Sequence, residues 1–127
     1  MSKKCLIIDD VSVSRFVIQG YMEEMGFEAI DAEDLDAALG LLKTQSVDLI
    51  ILDWHLRQQS ALARIPDIRK LSTARATPIL ICSGVEQSDN DDGLLNKVKD
   101  SGAQGFIRKP ITFEKFQDEL RRLNIVS

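Results

Sequence analysis

The sequence predicts an α/β domain built on a parallel sheet, and three observations carry that expectation. Apolar strand-like runs alternate with helix-like stretches about five times along the chain. Runs such as Leu49-Ile50-Ile51-Leu52 and Ile79-Leu80-Ile81 are apolar without interruption, as suits strands covered on both faces. Polar residues stand where these runs stop: Asp9-Asp10 after Lys4–Ile8, Asp53 after Val47–Leu52, Ser83 after Pro78–Cys82 and Lys109-Pro110 after Gly105–Arg108. In an open parallel sheet the carboxyl ends of the strands share one edge, and such folds bind ligands there.

The elements follow in order. After the first strand, Ser12 is placed to cap a helix carrying Val13, Phe16, Val17, Tyr21 and Met25, which Gly26 ends. Phe27 to Asp31 reads as the second strand. Leu35, Ala38, Leu39 and Leu42 line one face of a second helix, in which Gly40 costs ~1 kcal/mol relative to Ala. Pro66 falls inside the third helix, which is therefore expected to start late or to kink. Polar residues from Glu86 to Gly93 delay the fourth helix, whose apolar face begins at Leu94, Leu95 and Val98 and which Gly102 terminates. Thr112 caps the last helix, with Phe113, Phe116, Leu120 and Leu123 as its core stripe.

A chain of 127 residues fits one domain, and 44% hydrophobic residues suffice for an ordinary core. No apolar run approaches the ~20 residues of a membrane span, and the N-terminus has no signal-peptide core, so a cytoplasmic protein without membrane insertion is expected. Cys5 and Cys82 lie inside apolar runs and read as two buried, inert thiols; a disulfide requires their strands to be neighbours. The net charge of −4 argues against general nucleic-acid binding. The charge is uneven: Arg57, Arg64, Arg69, Lys70 and Arg75 face only Asp67 within one stretch, whereas Glu86, Asp89, Asp91 and Asp92 crowd another. These read either as two solvated faces or as patches that orient a partner.

Three acids, one hydroxyl and one lysine on a single sheet edge suggest a divalent cation and a phosphoryl group. The bland reading of Asp9-Asp10 is a turn pair at a strand-to-helix junction, but Asp53 at a second strand end weakens it, since clustered carboxylates repel. The constellation resembles the response-regulator receiver domain, from about Lys3 to the last helix. That resemblance implies a doubly wound, flavodoxin-like sheet of five strands in the order 2-1-3-4-5 with five helices. It implies that Asp53 is the phosphoacceptor, that Asp10 and Asp53 bind Mg²⁺ with Asp9 direct or through water, and that the backbone carbonyl of His55 completes the protein ligands. Lys109 would pair with a phosphate oxygen, with a cis peptide to Pro110 aiming it inward, and Ser83 would donate its hydroxyl to another oxygen. Phe106 occupies the position of an aromatic switch, with a permanently buried ring as the rival reading.

By the same resemblance the chain is a single receiver without an output domain. It would take its phosphoryl group from a histidine kinase or phosphotransfer protein and then dock a protein target through the fourth helix and fifth strand. A phosphorylation-dependent homodimer stays open. Trp54, beside Asp53, resembles the chemotaxis branch. The stretch His55–Ala61 lacks the family's Met-Pro and Asp-Gly, the segment 86–93 is a few residues long for the family, and Val85 offers no polar side chain to a hydrolytic water, which implies slow dephosphorylation. Two rivals stand beside this reading: a receiver-like adaptor that binds regardless of phosphorylation, and a haloacid-dehalogenase-type phosphatase, which usually needs a second Asp where His55 stands.

Overall fold

A computed structural model describes residues 3–53, 55–56, 59–83 and 100–126, and the side chains of 55–56, 59–63 and 83 fall outside that description. Five parallel strands form the sheet: β1 (Lys3–Ile8), β2 (Phe27–Ala32), β3 (Leu49–Asp53), β4 (Ile79–Ser83) and β5 (Gly105–Arg108), in the order β2-β1-β3-β4-β5. Three helices connect them, α1 (Ser12–Glu24), α2 (Leu35–Leu42) and α3 (Ala61–Arg69), and a C-terminal helix spans Phe113–Arg122. This is the doubly wound, flavodoxin-like order. The helix expected from Leu94 lies outside the described residues, which therefore hold four α-helices rather than five.

Alternation along each strand divides the core into two layers. Leu6, Ile8, Ile50, Leu52, Ile79 and Ile81 face α2 and α3, where they meet Leu35, Leu42, Ile65 and Ile68. Cys5, Ile7, Leu49, Ile51, Leu80 and Cys82 face α1 and the C-terminal helix, where they meet Ile18, Met22, Phe116 and Leu120. Both faces are covered, which is why the central strands carry no polar alternation. Cys5 in β1 and Cys82 in β4 are separated by β3, and both are free thiols.

Local chemistry explains the helix ends. Asp34 caps α2 by accepting the Ala37 N–H at 2.8 Å, and Thr112 caps the C-terminal helix by accepting that of Lys115 at 3.2 Å. Gly26 takes up the chain after α1 at a φ of +93°, a left-handed conformation that favours glycine.

Two expectations for α1 are corrected. Val11, not Ser12, is the N-cap, and no side chain caps that end. The buried stripe is Ile18 and Met22, with Tyr21 and Met25 packed beside it, while Val13 and Phe16 are 70% and 76% exposed. At 100° per residue these two project opposite Ile18 and Met22, so one helix carries apolar side chains on two sides. Pro66 does not delay α3, which begins at Ala61 and continues through it. The stretch after Asp53, which lacks the family's Met-Pro and Asp-Gly, contains a short antiparallel pair, His55–Leu56 with Gln59–Ser60.

Candidate functional site

Register builds the site. Ile8 of β1 pairs with Leu52 of β3, so Asp9, one residue past its strand, emerges beside Asp53. Asp53 in turn pairs with Cys82 of β4, and Cys82 with Ile107 of β5, so Lys109 leaves β5 on the same side of the sheet two residues later. The fold thus gathers segments that are far apart in sequence at the carboxyl edge.

Asp9, Asp10 and Asp53 each offer a carboxylate oxygen within 4.8 Å of the others. Asp9 is 1% exposed and Asp53 6%, whereas Asp10 is half-buried. Lys109 Nζ donates to Asp53 Oδ1 at 3.3 Å. Burial pulls the Lys109 ammonium down, but attraction from Asp53 and Asp9, with the hydrogen bond to Asp53, outweighs it and holds the pKa above the usual lysine value. Lys109 is therefore cationic at neutral pH. The Lys109–Pro110 peptide is cis.

The Asp9 carboxylate is divided in its duties. Oδ1 accepts the Val11 N–H at 2.9 Å, and Oδ2, although buried, has no hydrogen-bond partner among the described residues. A buried carboxylate oxygen left unpaired is costly unless something cationic meets it. An all-oxygen donor set with an orphaned buried oxygen suits a hard divalent cation. The residues present fit Mg²⁺.

Of the remaining sequence-derived positions, Phe106 is half-buried against the α2–α3 side of the core, with the Arg108 guanidinium 5.9 Å from its ring centre. Ser83 ends β4 opposite Arg108, and its side chain lies outside the described residues, as does that of His55. Trp54, Val85 and the segment 86–93 also fall outside.

Two described residues of the basic stretch, Arg64 and Arg69, take different partners. Arg64 is bound to Asp67 at 2.7 Å and Asp36 at 3.4 Å. Arg69 turns inward, donating to the carbonyls of Ala74, Thr77 and Gly102 and to Gln104 Oε1. Sequence reasoning passed over Arg15, whose Nη1 donates to the Asp9 carbonyl at 2.7 Å and whose Nε donates to Asp31 Oδ2 at 3.0 Å. A basic residue one turn into the helix behind paired acids was the available signal.

Residues 5–121 match the sequence profile of the response regulator receiver domain. The chain belongs to this family. Among curated proteins, this receiver is 35% identical over 119 residues to the sensor histidine kinase AruS of Pseudomonas aeruginosa, covering 92% of the chain and 11% of the relative. It is 30% identical over 113 residues to the phosphate regulon transcriptional regulatory protein PhoB of Escherichia coli, covering 88% of the chain and 47% of the relative. The receiver thus spans less than half the length of these two curated relatives. Among solved structures it resembles chemotaxis response regulator CheY4 of Vibrio cholerae at 26% identity and a TM-score of 0.83, covering 97% of this chain and 99% of that one. A response regulator receiver protein from Pseudomonas putida gives 26% identity and 0.80, covering 96% and 98%. Receiver domains are signalling domains of two-component systems that accept phosphoryl groups from histidine kinases. Among the described residues no helix is long and apolar enough to cross a membrane.

Proposed function

We propose that this receiver is a phosphorylation-activated switch in which Asp53 accepts the phosphoryl group of a histidine kinase or phosphotransfer protein and a protein partner then reads the change. The observation that carries this reading is the buried Asp53 carboxylate, clustered with Asp9 and Asp10 and hydrogen-bonded by Lys109.

In this reading an Asp53 oxygen attacks the donor phosphorus in line, the P–O bond forms, and the P–N bond to the donor imidazole breaks. Asp9, Asp10, Asp53 and the His55 carbonyl would hold Mg²⁺, whose charge offsets the repulsion between carboxylate and phosphate. Lys109, already cationic, neutralises charge developing on a phosphoryl oxygen, and the Ser83 hydroxyl donates to another.

For the output, a groove of about 320 Å³ between β5 and the C-terminal helix, lined by Phe106, Arg108, Lys115, Asp118, Glu119 and Arg122, offers a partner a surface of mixed charge. We read the 127 residues as one receiver domain acting by docking onto a protein. The match to CheY4 over nearly the whole of both chains supports an output in chemotaxis or motility.

Intact mass after incubation with Mg²⁺ and acetyl phosphate tests the reading. A gain of one phosphoryl group by the wild type and none by Asp53→Asn is expected. If neither acetyl phosphate nor beryllofluoride, followed by Trp54 fluorescence, produces a change, the phosphorylation-independent adaptor takes its place.

A further inference from the structure

Arg15 lies one turn into α1 with its guanidinium directed back to the loop that carries Asp9 and Asp10. Its side chain is only 17% exposed, and its two bonds reach different elements: Nη1 to the Asp9 carbonyl and Nε to Asp31 in β2. Asp9 is held from other directions as well. Its N–H donates to the Ala32 carbonyl at 3.1 Å, and its Oδ1 accepts from Val11. With its backbone N–H, its carbonyl and Oδ1 all engaged, the orphaned Oδ2 is what the arrangement leaves available.

We propose that Arg15 is a positioning residue for the acid cluster: anchored on Asp31, its planar fork holds the Asp9 carbonyl and so aims Asp9 Oδ2, with the neighbouring Asp10, at a divalent cation. This rests on the reading above that the cluster takes such a cation. A guanidinium suits the task because its donors are fixed in one plane and serve two acceptors at once, which an ammonium on a flexible stem does less well.

Charge and geometry make opposite demands on this residue, and that makes its role measurable. A cationic side chain beside a cation site repels the incoming ion, so by Coulomb's law alone a neutral residue at position 15 tightens Mg²⁺ binding. Asp31 counters part of that repulsion. Loss of an orienting partner acts the other way, and groups that orient a metal ligand typically carry about 10–100-fold in metal affinity.

The test is Mg²⁺ titration at fixed ionic strength, followed by Trp54 fluorescence and independently by calorimetry, on the wild type, Arg15→Gln, Arg15→Lys and Asp9→Asn. Arg15→Gln is expected to bind Mg²⁺ about tenfold more weakly. Arg15→Lys, which keeps the charge and loses the fork, is expected to fall between it and the wild type. Unchanged or tighter binding by Arg15→Gln overturns the inference. Should that variant fail to fold by circular dichroism, Arg15→Lys decides alone, and wild-type affinity in it overturns the inference. Asp9→Asn separates the two levels. Wild-type affinity in this variant, or no binding by the wild type, brings down the cation reading and the role of Arg15 with it. Weakened binding by Asp9→Asn beside an unaffected Arg15→Gln brings down the role of Arg15 alone.

Discussion

Glu119 of the C-terminal helix accepts the backbone N–H of Phe106 at 3.0 Å, across the open edge of the sheet. Among the described residues β5 is an edge strand, and this carboxylate engages a donor that no described strand meets. Arg122 holds the same carboxylate at 2.7 Å. Gly105 makes the approach feasible, since a Cβ there would lie 2.7 Å from Glu119 Oε2 and 2.8 Å from Leu80 Cδ1.

Burial raises the pKa of Glu119, but the bonds from Arg122 and from the Phe106 N–H outweigh it and leave the value below the ordinary one of 4.5. A depressed folded-state pKa contributes stability that is present above the unfolded value and lost as pH falls through the folded one. Glu119→Gln is therefore expected to lower stability by about 1 kcal/mol at neutral pH and to flatten the acid limb below pH 4.5. Urea midpoints from pH 7 to pH 3 check both.

Arg69 joins the end of α3, the segment before β4 and the turn at Gly102 through four acceptors, none of them charged. Burial lowers its pKa, yet it stays protonated. Arg69→Met leaves several carbonyls unpaired and is expected to cost about 3 kcal/mol, read as a shift in the denaturation midpoint. Arg69→Lys recovers only part of that, because one ammonium cannot span all four.

Lys109→Met separates two roles of one charge. With the cation beside Asp53 removed, Mg²⁺ is expected to bind several-fold more tightly, since less repulsion meets it. Phosphorylation by acetyl phosphate is expected to slow by about 10²–10³-fold, the usual cost of losing a donor to a developing anion. Trp54 titration and time-resolved intact mass give the two numbers, and a matched loss of both contradicts the assignment.

Both thiols are expected to resist thiol-specific reagents. Burial pushes Cys5 up to about 12, and burial, against the pull of the Lys109 ammonium, pushes Cys82 up as well, with Asp53 and Asp9 adding to the rise. Neither forms much thiolate at pH 8. Ellman's reagent should label neither in the native protein and both in guanidinium. Rapid native labelling of one counts against its burial.

The sheet was legible because its signal is local: uninterrupted apolar runs fix the central strands, and polar residues at their ends mark the carboxyl edge. The acids of the site came with it, since strand ends need only the strands. α1 was misread because Val13, Phe16 and Val17 look as apolar as Ile18 and Met22, and composition does not say which side meets the sheet. The paired segments His55–Leu56 and Gln59–Ser60 are too short to carry a period. Arg69 and Glu119 owe their roles to partners up to 35 positions away, so nothing beside them in sequence announces those roles. For the same reason the basic run, open between solvated faces and a partner-orienting patch, does not announce that Arg64 and Lys70 pair with acids at the surface while Arg69 turns inward.

The two-sided apolar character of α1 has a consequence for how the helix settles on the sheet. Burial alone discriminates poorly between its rotational settings, because turning Ile18 and Met22 outward would bring Val13 and Phe16 inward. The polar attachment of Arg15 to Asp31 and the Asp9 carbonyl is available in only one of those settings. Its directional bonds select the angular phase of a helix whose greasy surfaces would otherwise leave it ambiguous.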